Sequence, residues 1–175
     1  MTPELEKKLS RVQLLLLDVD GVLTDGAITY TDSGEQVKSF NSSDGLGIRL
    51  LMDAGIQVGI ITGRASDALR HRCSNLGITL LFDGIKDKAA ALDQIAEQTR
   101  VPKTQTAFVG DDLIDLPAMK RVGLAVSVAN ACDEVKKNSD MTTQKPGGRG
   151  AVREVSEAIL KAQGLWQQIL DRFLK

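Results

Sequence analysis

Five aspartates in two short clusters carry the most reactive chemistry of the chain. Asp18 and Asp20 stand in Leu17-Asp18-Val19-Asp20-Gly21-Val22-Leu23-Thr24, and Asp111, Asp112 and Asp115 in Val109-Gly110-Asp111-Asp112-Leu113-Ile114-Asp115. Each cluster follows an apolar, β-rich run, at residues 12–17 and 106–109, so each is pushed out at the end of a strand. A carboxylate is a nucleophile when ionised and a proton donor when not, and a pair suits the covalent and acid–base steps of group transfer. A calcium loop is the nearest rival for the first cluster, but that pattern needs further acids at regular spacing and flanking helices. Neither is present.

Two more features lie between the clusters. Ile60-Ile61-Thr62-Gly63-Arg64-Ala65-Ser66 places a hydroxyl and a glycine between a strand and a helix N-terminus, where free N–H groups favour an anion. Taken alone, Thr-Gly before a helix is also simply a cap. Lys88, in Asp87-Lys88-Ala89, falls near the start of a helical segment, where the macrodipole does not favour a cation, and alone it reads as a solvated surface lysine. Acids gathered on one rim repel one another unless a divalent cation neutralises them, and hard oxygen donors with room for water suit Mg²⁺. With a hydroxyl, a lysine and a helix N-terminus beside them, they supply what phosphoryl transfer needs: nucleophile, proton donor, metal and phosphate clamps.

The elements that must position these groups read as an alternation. Apolar runs at residues 12–17, 57–61, 78–82, 106–109 and 124–128 are separated by segments of helical period, which predicts an α/β, Rossmann-like three-layer sandwich with a parallel central sheet. Asp44 and Ser66 read as N-caps, and Gly55 and Gly77 stand where helices end. Right-handed crossovers put every strand's C-terminal end on one rim, and all the motifs fall there. Residues 27–31 and 36–40 flank the turn Asp32-Ser33-Gly34-Glu35 and read as a β-hairpin after strand one, spanning about residues 26–40. An isolated hairpin is marginal in water, so it is expected to pack on something else, such as its counterparts in other subunits. After Gly147-Gly148-Arg149-Gly150, which suits either a lid or a turn, a helical tail at residues 150–175 has apolar positions at helical spacing, broken at Gly164.

With 175 residues and 42% hydrophobic content, the chain is expected to form one domain, residues 1–175. A net charge of −1 with no long basic run argues against nucleic acid as a partner. Thr2-Pro3-Glu4 reads as a helix start rather than a signal peptide, and no apolar run approaches membrane-spanning length, so a soluble, cytoplasmic protein is expected. Cys73 and Cys132 lack metal-ligand spacing and read as reduced thiols, and the lone His71 reads as an ordinary helical side chain.

In order, Asp18-x-Asp20-Gly-x-x-Thr24, Thr62-Gly63, Lys88 and Gly110-Asp111-Asp112-x-x-Asp115 resemble the four signatures of the haloacid-dehalogenase superfamily. The resemblance implies that Asp18 is the nucleophile that becomes an aspartyl-phosphate, and that Asp20 protonates the leaving oxygen and later activates water. It further implies that Asp18, the backbone carbonyl of Asp20 and Asp111 bind Mg²⁺, and that Thr62, Gly63 and Lys88 hold the phosphoryl oxygens. Asp112 and Asp115 are then the acids that steer a metal-bound water and Lys88.

The chain leaves no room for the cap domain that usually covers such sites. Capless chains of this length with Phe40-Asn41-x-x-Asp44-Gly45-x-Gly47-Ile48-Arg49 and Gly147-Gly148-Arg149-Gly150-Ala151-Val152-Arg153-Glu154 look like the 3-deoxy-D-manno-octulosonate 8-phosphate phosphatase family. That resemblance implies a homotetramer with packed hairpins, a role in lipopolysaccharide inner-core synthesis, and a sugar-acid phosphate bound by Asp20, Asn41, Ser42, Ser43, Asp44, Gly45, Arg49, Thr62, Gly63, Arg64, Arg72 and Lys88. Guanidiniums suit a carboxylate because they pair with it through two parallel hydrogen bonds. Ser42 and Ser43 depart from the family, which often has a valine and a basic residue there. Two alternatives stay open: a phosphatase of nine-carbon, sialic-acid-type 9-phosphates, and a non-catalytic assembly module like those fused to cytidylyltransferases.

Overall fold

The computed structural model describes residues 2–175. It begins with α1 (Pro3–Leu9), capped by the Thr2 hydroxyl, and β1 (Leu14–Leu17), four leucines that are all buried. A strand with no solvent face must lie inside a sheet covered on both sides. The hairpin strands β2 (Thr29–Tyr30) and β3 (Gln36–Val37) follow, then α2 (Ser42–Asp53), β4 (Gln57–Ile61), α3 (Asp67–Leu76), β5 (Leu80–Phe82) and α4 (Lys88–Thr99). The second half runs β6 (Thr106–Gly110), α5 (Leu116–Met119), β7 (Leu124–Ser127), α6 (Asp133–Lys137), β8 (Met141–Thr142), α7 (Ala151–Ala162) and α8 (Trp166–Phe173).

The main sheet has the order β5-β4-β1-β6-β7-β8, and every pairing in it is parallel. Leu17 lies between Ile60 of β4 and Val109 of β6. The chain leaves β1 toward β4 and β5, then returns to build β6, β7 and β8 on the other side. The order therefore reverses between β1 and β6, and their C-terminal ends open the crevice where open α/β sheets bind ligands. Helices cover the sheet in two sets, α2 with α7, α1 and α8, and α4 with α5. The α/β sandwich expected from the alternation is the one observed. No helix among the described residues is long and apolar enough to cross a membrane.

Several boundaries differ from the sequence reading. Asp44 does not cap α2; Asn41 does, its Oδ1 accepting from Ser43 N at 2.8 Å and Asp44 N at 3.4 Å. Asp44 is 1% exposed, and its carboxylate instead accepts from Gly150 N at 3.3 Å and Arg153 N at 2.8 Å, clasping α2 to the start of α7. Strands β1 and β5 start two residues late because the incoming chain still closes the preceding helices, with Val12 N on Leu9 O and Ile78 N on Cys73 O. The hairpin is shorter than the apolar runs suggested, pairing only Thr29 with Val37 and Tyr30 with Gln36. Ile28, Tyr30 and Val37 stay exposed, so nothing within the chain extends it. The sixth strand, β8, was not anticipated: only two residues long, it pairs in parallel with β7, supported by hydroxyl contacts such as Ser127 Oγ with Thr142 Oγ1 at 2.8 Å, and is too short to show an apolar period.

Residues 147–150 form a turn packed on the loop after β1. Gly148 N donates to Val22 O at 2.9 Å and Gly147 N to Asn130 Oδ1 at 2.7 Å, while a Cβ on Gly147 would lie 1.6 Å from Gly21 O. Backbone cannot yield as a side-chain tip can, so Gly147→Ala is expected to cost about 1–3 kcal/mol in urea unfolding. A variant as stable as the parent would show that the turn moves freely off the loop.

Candidate active site

Asp18 emerges directly from β1, with its N–H on Val109 O at 3.1 Å. The chain then turns sharply, as the amides of Val22, Leu23 and Thr24 all converge on Val19 O. The buried Thr24 hydroxyl locks this turn by accepting from Gly21 N at 3.3 Å and Gly26 N at 3.2 Å. Gly21 has φ +90, and a Cβ there would stand 2.0 Å from Asp111 Oδ2, so only glycine lets the two aspartate loops meet.

Lys88, expected on its own merits to be solvated, is 3% exposed. Its Nζ donates to Asp18 Oδ1 at 2.7 Å and to Asp115 Oδ1 at 2.6 Å. Asp115 is fully buried and also accepts through Oδ2 from the amides of Asp111, at 2.9 Å, and Asp112, at 3.3 Å. Asp112 is exposed and caps the turn, its Oδ1 accepting from Leu113 N at 2.7 Å.

One ammonium thus faces three carboxylates. Burial, then the charge of Asp115, pushes the Asp18 pKa up to about 6. Burial and the charges of Asp18, Asp115 and Asp112 push Asp111 up to about 7. Burial works against the charge of Lys88, yet Asp18 and Asp115 outweigh it and hold the lysine above its ordinary value. Carboxyl oxygens of Asp18, Asp111 and Asp115 lie within 4.8 Å of one another. Hard oxygens with surplus negative charge fit a divalent cation of the Mg²⁺ class. Of the expected metal set, the side chains of Asp18 and Asp111 are in this cluster, and Asp115, expected to steer Lys88, joins them.

A cavity of about 400 Å³ opens onto Asp18, Asp111 and Asp112, with Asp20, Thr62, Gly63 and Arg64 on its other wall. Thr62 is 2% exposed, its Oγ1 accepting from Arg64 N at 3.4 Å. Ser66 caps α3 at Asp67, as the sequence suggested, and the short loop before it carries Arg64 to the cavity. Gly26 and Ile114 also line it, and neither was singled out from the sequence. Lys38 was missed as well: it follows β3, its side chain is 3% exposed, and its Nζ donates to Asp20 Oδ1, with Arg64 Nε 3.8 Å from Asp20 Oδ2. A lone lysine after a hairpin strand carries no signal of such a reach.

The other expected sugar-binding residues lie apart from this cavity within one chain. Arg72 donates to Asn41 O at 3.0 Å and stands 5.8 Å over the Phe40 ring, and Arg49 donates to Asn75 O. Both line a separate groove with Ser42 and Gly45, where a Cβ on Gly45 would meet Arg72 Nη2 at 2.3 Å. Asn41 is occupied by its capping bonds and a 3.4 Å contact to Gly148 O, Ser43 faces solvent, and Asp44 is buried in its clasp. Asp44, expected to contact the substrate, has each of its oxygens accepting from a backbone amide of the turn before α7 or of α7 itself.

Residues 81–154 match the description of haloacid dehalogenase-like hydrolases. The chain is 46% identical over 160 residues to the 3-deoxy-D-manno-octulosonate 8-phosphate phosphatase of Haemophilus influenzae, covering 91% of this chain and 89% of that protein. To the Salmonella typhimurium enzyme of the same name it is 44% identical over 164 residues, covering 94% and 87%. The chain belongs to this phosphatase family. A family structure from Moraxella catarrhalis, in complex with magnesium, phosphate and KDO, superposes with a TM-score of 0.96 at 40% identity over 99% of both chains. The cobalt-bound Haemophilus influenzae phosphatase superposes at 0.88, with 47% identity over 90% of this chain and 92% of that one.

For a member of this phosphatase family, the crowded acids set a pH dependence with a definite sign. An acid whose folded pKa is raised holds its proton more tightly folded than unfolded, so its contribution to stability is lost as pH rises from the unfolded value toward the folded one. For Asp18 and Asp111 that window runs from near 4 up to about 6 and about 7 respectively. The thermal midpoint of protein stripped of metal should fall between about pH 4 and about pH 7, and added Mg²⁺ should raise it more at the upper end. A Mg²⁺ effect independent of pH would dissociate the metal from these carboxylates.

Proposed function

We propose that this chain is a Mg²⁺-dependent phosphatase that hydrolyses 3-deoxy-D-manno-octulosonate 8-phosphate to the free sugar acid and phosphate. The observation that carries the reading is the buried Asp18–Lys88–Asp115 triad beside Asp111, at the strand ends where the sheet order reverses, in a chain whose relatives of that name match it over about nine-tenths of its length. Asp18 is the nucleophile: its carboxylate forms a bond to phosphorus as the bond from phosphorus to the sugar oxygen breaks. Asp20, in its acid form, gives its proton to that oxygen, then takes a proton from the water whose oxygen displaces Asp18 and releases phosphate. Lys88, Thr62 and Gly63 hold the phosphoryl oxygens, and Lys88 keeps Asp18 aimed. Mg²⁺ held by Asp18, Asp111 and the Asp20 carbonyl would draw off phosphoryl negative charge. Asp115 fixes Lys88, and Asp112 shapes the loop that presents Asp111.

Arg64 suits the substrate's negative charge at the cavity wall. Arg49 and Arg72, with residues 41–45, face the separate groove, and in the reading proposed here they serve the sugar acid across a subunit boundary. The apolar, exposed Ile28, Tyr30 and Val37 of the hairpin support a homotetramer in which neighbouring chains replace the missing cap. We place the enzyme in the cytoplasm, supplying sugar acid for the lipopolysaccharide inner core.

Phosphate release should be fastest from the octulosonate 8-phosphate in a panel that includes nine-carbon 9-phosphates. EDTA should stop it, Mg²⁺ restore it, and Asp18→Asn abolish it with the fold intact. Preference for a nine-carbon acid would move the substrate, and turnover by Asp18→Asn would overturn the nucleophile. Light scattering should give a mass near four chains, whereas an active monomer would remove the idea that subunits close the site.

A further inference from the structure

Lys38 belongs to the hairpin, an element whose other features point to assembly, yet its side chain runs inward. That side chain is 3% exposed in the single chain, and its ammonium donates to Asp20 Oδ1. A buried ammonium needs an acceptor, and Asp20 Oδ1 supplies it. The dependence also runs the other way, as the acids around Asp20 show. Asp18 is fixed by Lys88, Asp115 by Lys88 and two amides, and Asp44 by two amides. Among the described residues the Asp20 carboxylate accepts from no backbone N–H. Its other charged neighbour, Arg64, lies 3.8 Å away with half its side chain exposed. The Thr24 hydroxyl ties down the backbone of the loop but does not touch the Asp20 side chain. Asp20 lines the cavity and Lys38 does not, so Lys38 reaches the chemistry only through Asp20.

We propose that Lys38 is a positioning residue that holds Asp20 Oδ1 and so leaves Oδ2 aimed at the reacting oxygens. This rests on the phosphatase reading above. Its consequence is that the hairpin, besides offering an apolar surface to other copies, carries the one buried contact that orients the proton donor. An acid that serves the leaving oxygen first and water second must keep one orientation through both steps, and displacement by about 1 Å is enough to cost about 100-fold in rate.

The test compares Lys38→Met and Lys38→Arg with the parent on two substrates. With the octulosonate 8-phosphate, whose alkoxide leaving group needs a proton, Lys38→Met should lose about 10–100-fold in kcat with KM changed less than about twofold, and Lys38→Arg should recover part of the loss. With p-nitrophenyl phosphate, whose leaving group departs without a proton, first-turnover release of nitrophenolate should stay near the parent's rate. Circular dichroism verifies folding, and Lys38→Gln takes the place of Lys38→Met if the latter does not fold. A parental kcat in these variants would overturn the proposal. So would a loss confined to KM, which would make Lys38 a substrate ligand, or an equal loss in the nitrophenyl first turnover, which would make its role merely structural. A parent inactive on both substrates would remove the phosphatase reading and this role with it, a failure distinct from an active parent indifferent to residue 38.

Discussion

Lys88 lies between Asp18 and Asp115 in a place almost closed to water, and the geometry of the whole rim follows from satisfying it. It is the first residue of α4, where the helix dipole repels a cation, and burial adds a second penalty. Two carboxylates are needed to offset both, and they come from opposite halves of the chain: Asp18 at the end of β1, Asp115 after β6. Because β1 and β6 are neighbours in the sheet, one ammonium spans both. Asp115 then spends its second oxygen on the amides of Asp111 and Asp112, so the ion pair also fixes the loop that carries Asp111. Three acids around one cation leave surplus negative charge, which adds to burial in raising the pKa values of Asp18 and Asp111.

Electrostatics alone would drive the aspartate loops apart; backbone packing holds them together. Asp111 occupies the space where Gly21 would carry a Cβ, and Gly21 in turn is covered by Gly147 from the turn before α7. That turn is anchored twice more, by Asn130 on Gly147 and by Asp44 on Gly150 and Arg153. Strain in one loop is thereby shared with α2, α7 and the β7–α6 connection. The acids are held at close range by the fold itself, and such pre-organisation is what electrostatic catalysis requires of a site.

Much of this was legible because the chemistry is local in sequence and the sheet is nearly all buried. Apolar runs with no polar face announce β1, β4, β6 and β7, and the acids that interrupt them announce the rim. What stayed hidden depends on contacts between distant residues. Asp44 looks like a cap because it opens an apolar helical period, but Asn41 three positions earlier has the better reach to the free amides. The burial of Lys88 cannot be inferred from its neighbours in sequence, since its partners are 70 and 27 positions away. Strand β8 and the pairing of Lys38 with Asp20 have no periodic signature at all. Arg49 and Arg72 resemble the family's sugar-binding positions, yet one chain places them in a groove of their own, because α2 and α3 present them outward.

Asp18 and Asp20 show how one turn of backbone gives two identical side chains different work. Asp18 is 4% exposed, crowded by acids and fixed by a lysine from the sheet's own crossover helix. Asp20, two residues on, escapes that crowd because the Val19 carbonyl gathers three amides and swings the chain outward. It meets cations only, Lys38 from the hairpin and Arg64 from the β4–α3 loop. In the proposed mechanism, the division between attack and proton transfer follows from which elements reach each carboxylate, with the sheet holding one and the appended hairpin the other. On that reading, the same sheet without this hairpin would keep Asp18 and Lys88 together but would need another element to hold Asp20.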